Sequence, residues 1–325
     1  MFSTFIRLGA ALSCAAMLCS CGGNSVAETQ QSTPEGLYTG QLQTTFTGPN
    51  VNPDITTSPP ANCTENVVTF AVATGSIYNF YPSTNNPAVL NAADEGTLSF
   101  ASDAMSSSIL EVIAPASVPF TATASQPTNP YASIASNFSP MCDNFTNNLA
   151  AANLTGGYNT GVNLALVLTY SETDAAGWNN TTQTTATTLL YDADYQGVQS
   201  LSTLAGTFNG YVSTSQFSEP ASFTIDPASV PANAGNDLGV SVLIGTGASG
   251  CSYTGSVSPL FKGNGYSITI STGPSPCSLP QAQFSGLIYL NTSTNTLYSF
   301  APNAGHTDGI IFSGTRVTGT STTSN

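Results

Sequence analysis

Positive charge is nearly missing from this sequence. Only Arg7, Lys262 and Arg316 are cationic among 325 residues, against 17 acidic ones. Removing the leader described below takes Arg7 and leaves 2 − 17 = −15, with the two surviving cations far apart in the chain. Neutralising a nucleic-acid backbone or an anionic leaflet needs several clustered Lys or Arg side chains, so nucleic acid is excluded as a partner. The acidic balance reads as a solubilising surface. Histidine is equally scarce, with His306 alone. No C-x-x-C follows the leader, so the donor set of a zinc site is missing and neither a metal nor a cofactor is expected. No apolar run approaches the roughly 20 residues of a membrane-spanning helix. Charged residues make up 6% and hydrophobic ones 40%, with Ser, Thr, Asn and Gly abundant. That is a neutral-polar β composition, unlike the charged profile of disorder.

What is present begins with the leader. Arg7 is followed by an apolar run from Leu8 to Leu18 and then by Leu18-Cys19-Ser20-Cys21. A run of about 11 residues is a signal-segment length and too short for a bilayer. A hydrophobic residue at −3 and a small one at −1 resemble the lipobox of bacterial lipoproteins, which implies that Cys21 is acylated and opens the mature chain. Leu18 is too large for the position before Cys19, and Cys14 leaves too short an apolar run, so neither competes well. An ordinary secretory leader without lipidation is the alternative. Gly22 rather than Asp after Cys21 implies, by the same resemblance, sorting to the outer membrane. Two or three acyl chains anchor stably at about 0.8 kcal/mol per buried methylene. Residues 1–20 are thus read as signal peptide and 21–35 as a lipidated tether of about 45 Å at full stretch.

Period-two alternation dominates the rest. Val162, Leu164, Leu166, Leu168 and Tyr170 alternate with Asn163, Ala165, Val167 and Thr169, and Tyr266, Ile268 and Ile270 with Ser267, Thr269 and Ser271. These predict half-buried strands with one wet face. Further strands are predicted over 37–46, 67–73, 76–81, 97–102, 109–113, 119–124 and 182–191, then over 206–212, 221–225, 238–244, 252–257, 284–290, 296–301 and 309–317. Only Met141 to Asn153 reads as a short helix. Gly, Asn and Asp clusters between the runs predict meanders. The interval 125–161 reads as a surface insertion. Gly36-Leu37-Tyr38-Thr39-Gly40 echoes Gly206-Thr207-Phe208-Asn209-Gly210. The expected fold is therefore all-β, with two antiparallel barrel or sandwich modules of about eight strands, over 36–200 and 201–318, and a disordered tail at 319–325.

Four cysteines remain after Cys21: Cys63, Cys142, Cys251 and Cys277. An even number in an oxidising compartment reads as disulfides, with three possible connectivities. Pairing Cys63 with Cys142 and Cys251 with Cys277 keeps each bridge within one half of the chain. For the second pair, a strand from Cys251, a turn over 259–265 and a returning strand bring the sulfurs toward each other.

Several stretches resemble reactive motifs and fail their context. Gly245-Thr246-Gly247-Ala248-Ser249-Gly250 spells G-x-G-x-x-G but is followed by strand rather than helix, so a hairpin loop is expected. Asp192-Ala193-Asp194 starts like a calcium loop, yet position 12 is Thr203 instead of Glu, and a turn is expected. Asp94-Glu95-Gly96 reads as a solvated turn. His306, beside Thr307 and Asp308, reads as an exposed loop histidine, and no G-x-S-x-G elbow exists. Trp178 in Gly177-Trp178-Asn179-Asn180 at a hairpin tip is the candidate binding residue, with a packed loop plug as the alternative.

The segments 190–195, 204–210, 250–255, 264–266, 276–280 and 308–315 resemble an uncharacterised family of Gram-negative lipoproteins. That resemblance covers about 190–317 and implies lipidation, a β fold and the Cys251–Cys277 bridge, with no reaction attached. A looser likeness, of architecture only, is to lipid-anchored surface barrels that bind host proteins. The expected role is a non-catalytic binding or envelope component at the outer membrane, with a protein or glycan ligand. The alternatives are an extracytoplasmic hydrolase using acidic residues and a passive structural protein.

Overall fold

The chain closes into two eight-stranded antiparallel barrels. The computed structural model describes residues 33–46, 63–101, 104–115, 135–138, 149–173, 179–186, 188–196, 200–226 and 240–317. The first barrel is built from β1 (Gly36–Phe46), β2 (Cys63–Ala71), β3 (Ser76–Pro82), β4 (Leu90–Thr97), β5 (Ser99–Ala101), β6 (Ala104–Ile113), β7 (Leu149–Asn159), β8 (Asn163–Thr173), β9 (Asn179–Ala186) and β10 (Leu189–Tyr191). Both β9 and β10 lie between β8 and β1, so they are halves of one interrupted strand that closes the barrel. Likewise β4 and β5 both pair with β6 across a break at Leu98.

A four-residue helix, α1 (Leu201–Leu204), leads into the second barrel. Its strands are β11 (Gly206–Ser213), β12 (Ser218–Asp226), β13 (Ser241–Gly247), β14 (Ser252–Pro259), β15 (Gly265–Thr272), β16 (Gln283–Asn291), β17 (Thr296–Pro302) and β18 (Gly309–Arg316), in sequential order with β18 returning to β11. Closure requires close strand approach. A Cβ on Gly210 would stand 1.8 Å from the Ser313 carbonyl oxygen, and one on Gly255 1.9 Å from that of Thr269. Glycine at these inward positions lets the strands coil tightly enough to close.

Alternation fills each lumen. Phe208, Phe223, Tyr253, Ile268, Ile288 and Phe312 belong to the core of the second barrel, and the Phe223 and Phe312 rings stack at 4.1 Å. Tyr38, Leu42, Ile77, Leu154, Leu166 and Leu168 belong to that of the first. Strands β3, β4, β17 and β18 instead are buried on nearly every residue. Their second faces form a core between the barrels, where Phe70, Phe80 and Leu90 meet Leu287, Tyr289, Tyr298 and Phe300. Polar contacts cross the same seam: the Tyr298 hydroxyl donates to the Pro87 carbonyl at 2.6 Å and the Leu90 amide to Ser313 Oγ at 3.0 Å. Both barrels fall within one compact unit.

The structure corrects three expectations. Residues 149–153, assigned to a helix, begin β7, whose inward side chains there, Ala150 and Ala152, are too small to mark an alternation. The expected insertion therefore gives up Leu149–Asn159 to the barrel wall. Asp94-Glu95-Gly96 is strand interior in β4, with Asp94 fully buried and Glu95 nearly so. Asp94 faces the polar layer of the lumen, and Glu95 faces the outer side of the wall against His306.

The Cys251–Cys277 bridge is formed. Cys63 opens β2, while Cys142, Cys21, Trp178 and the strand expected over 119–124 lie outside the described residues.

Candidate functional site

Two clusters stand out, one sealed and one open. The sealed one is a polar layer inside the first barrel. Thr69 Oγ1 donates to Asn79 Oδ1 at 2.6 Å, Asn79 Nδ2 donates to Asp94 Oδ1 at 2.7 Å, and the Tyr81 hydroxyl donates to Asp94 Oδ2 at 2.6 Å. Strands β2, β3 and β4 supply these groups at neighbouring inward positions, and β6 places Glu111 directly opposite Asp94. Burial pushes the Asp94 carboxyl up to about 7, against the lowering effect of the Tyr81 and Asn79 hydrogen bonds. Burial, reinforced by Asp94, Glu111 and Glu65, drives the Tyr81 hydroxyl well above its ordinary value. All of these groups are buried, so the layer fixes the barrel interior and offers no reacting surface.

The open cluster is a groove of about 810 Å³ on the outer face of β4, β6 and β7. Its walls carry Thr97, Ser99, Ser106 and Ser108, with Leu110 and Ala151 as the outward apolar lining and His306 at the edge. His306 arrives from the β17–β18 turn. There Asn303 accepts the Thr307 amide on its side chain and the His306 amide on its carbonyl, each at 2.9 Å, which supports a left-handed His306 backbone (φ 48°). His306 Nδ1 lies 3.3 Å from Glu95 Oε2. Burial raises the Glu95 carboxyl above its ordinary value, and His306 opposes that shift. A carboxylate at Nδ1 can fix the ring's orientation, while hydroxyls and amides along the walls can hydrogen-bond an uncharged ligand. Asp308, the sequence neighbour, is engaged elsewhere, accepting the Ser215 hydroxyl at 2.8 Å and the Gly309 amide at 2.7 Å.

The remaining motifs are structural. In the glycine-rich run, a Cβ on Gly247 would meet Glu219 Oε1 at 2.1 Å. That space admits the Glu219 carboxylate, which accepts the Ser249 amide at 2.6 Å and the Tyr253 hydroxyl at 3.1 Å. Asp192 accepts the Asp194 amide at 2.9 Å in a short 3-10 turn over Ala193–Gln196. Among the described residues, no three His, Cys, Asp or Glu side chains gather in a way that could hold a metal. His306 is the exposed loop histidine that the sequence suggested, but its contact with Glu95 was not legible, because the two residues come from different barrels. The only local sign was an acidic pair, Asp94-Glu95, inside a stretch otherwise fit for a strand.

No protein-family model matches the chain, and no curated protein matches it. Among solved structures, the chain is similar to a Trp-176-Ala mutant of the vaccine antigen Transferrin Binding Protein B from Haemophilus parasuis. The identity is 8% and the TM-score 0.23, over 89% of this chain and 77% of the other. Superposition that loose supports no inference about fold or activity.

Proposed function

We propose that this protein is an outer-membrane lipoprotein, anchored through Cys21, that works by binding a protein or glycan rather than by catalysis. The observation that supports the binding role is the groove beside Glu95 and His306. It is open, rich in hydroxyls, and lined in part by apolar side chains. The arrangement suits a neutral, hydrogen-bonding ligand better than a phosphate, since neither Lys262 nor Arg316 lines it. Trp178 is the second proposed contact. Binding of the full chain to glycans and envelope proteins, repeated with Ser106→Trp and with His306→Ala, tests the reading. A ligand whose affinity falls about tenfold or more in both variants supports it, and a ligand indifferent to both removes the groove from consideration. Anchoring is tested separately: a fatty-acid analogue should label the wild type and leave Cys21→Ala unlabelled.

The His306–Glu95 pair favours a second reading, a hydrolase in which Glu95 orients His306 as the base for one of the groove serines. A fluorophosphonate probe that labels the wild type and spares His306→Ala would establish it.

A further inference from the structure

Successive loops of an up-and-down barrel alternate between its two ends. The β14–β15 and β16–β17 turns therefore share the end of the second barrel opposite to the turn that carries His306. The chain between the barrels meets this end. The Tyr266 hydroxyl donates to the Ser200 carbonyl at 3.1 Å, just before α1, and Thr292 Oγ1 donates to Asp194 Oδ2 at 3.4 Å. Between that chain and the barrel mouth lies a cavity of about 230 Å³, whose lining includes Asp194, Thr203, Asn264, Tyr266, Leu290 and Thr292. Tyr266 and Leu290 belong to the barrel core and give the cavity an apolar side. Asn264 and Thr292 continue the inward rows of β15 and β16 one alternation beyond them.

Asn264 is the unusual member. It is 8% exposed, and neither its Oδ1 nor its Nδ2 has a hydrogen-bond partner. A buried amide with unmade bonds costs stability that an apolar side chain of similar shape does not. The space beside it is ample. It exceeds several times over the roughly 30 Å³ share of a single water, and it falls short of the roughly 300–1,000 Å³ of sites for drug-sized ligands. One small ring suits that volume.

Charge narrows the choice. Asp194 in the lining repels an anion. Arg316 stands close enough to Tyr266 to oppose the rise that burial gives its hydroxyl, while donating to the Ala205 carbonyl at 2.8 Å and to the Thr203 carbonyl. A cation is therefore disfavoured as well. A hydroxyl both donates and accepts without charge, which matches the Asn264 amide, the Asp194 carboxylate and the two threonine hydroxyls.

We infer that this cavity is a second binding site, for a neutral hydroxyl-bearing ring of monosaccharide size, free or at the end of a glycan. It stands apart from the groove beside Glu95 and His306 and does not depend on it. Asn264 supplies an amide that donates and accepts, Asp194 accepts from a ring hydroxyl, and Tyr266 with Leu290 faces the ring's C–H bonds.

Calorimetric titration of the full chain with methyl glycosides of glucose, galactose, mannose and N-acetylglucosamine tests the site. At least one should bind, and its 6-phosphate should bind at least tenfold more weakly. Thr292 is exposed, so Thr292→Trp obstructs the cavity from outside the core and should cut affinity at least tenfold. Asn264→Leu should do the same while raising the thermal midpoint of the sugar-free protein, because the unmade bonds go with the amide. Ser106→Trp, in the groove, should leave affinity within twofold. An oligosaccharide ending in the bound sugar separates the two sources: affinity equal to that of the methyl glycoside assigns a chain end, and loss of binding assigns the free sugar. Absence of binding by all four glycosides overturns the site, as does affinity that survives both Thr292→Trp and Asn264→Leu. Affinity lost in Ser106→Trp alone puts the sugar in the groove, so this inference fails while the groove reading stands.

Discussion

Asp94 concentrates the chemistry of the first barrel in one side chain. Its carboxyl sits near 7 in the folded protein against an ordinary 3.8, because burial outweighs the hydrogen bonds from Tyr81 and Asn79. Between those values the folded state holds a proton that the unfolded chain has released. Stability contributed by this group therefore falls as pH rises from about 4 to about 7, and then levels off. The slope is at most about 1.4 kcal/mol per pH unit for one group. Urea unfolding across this range should show that decline in the wild type and lack it in Asp94→Asn. Tyr81→Phe removes a donor to a buried carboxylate and should cost about 1–3 kcal/mol, more above pH 7 than below pH 5.

At the scale of elements, barrel closure and one bridge hold the wall of the second barrel. Gly210 pairs with Ala221 on one side and Gly314 on the other, where a side chain would collide with the Ser313 backbone. Gly210→Ala should cost about 1–3 kcal/mol or prevent closure, read as a lower thermal midpoint. The Cys251–Cys277 bridge closes a loop of 26 residues, and the double substitution by alanine should lower stability by about 2–4 kcal/mol in chemical denaturation. Strands such as Gly265–Thr272 were legible because one face meets a lumen and the other meets water. Leu90–Thr97 was not, because its inward Asp94 breaks the apolar pattern and is accommodated only by partners on β3. Leu149–Asn159 was hidden for the opposite reason, since alanine and glycine carry too little hydropathy to mark a face.

For the whole molecule, the aromatic seam couples the barrels. Phe80 lies 6.2 Å from Tyr298, and Phe300 is completely buried there. One unfolding transition is expected for both barrels. Phe300→Ala should cost about 3–5 kcal/mol. Combining Phe80→Ala with Tyr298→Ala should split the calorimetric transition in two, whereas a single sharp transition in that variant would show that the seam contributes little coupling. The same seam brings Glu95 of one barrel to His306 of the other, so loosening it should also weaken ligand binding in the groove.

From the sequence alone came the all-β class, the meander order and the second-barrel bridge, because alternation, turn residues and cysteine spacing act locally. Tertiary structure decided which carboxylates leave water, which strands are covered on both faces, and that His306 meets Glu95. Each of those depends on what a distant strand places opposite, and a hydrophobic or acidic run has the same composition whether its second face meets solvent or another barrel.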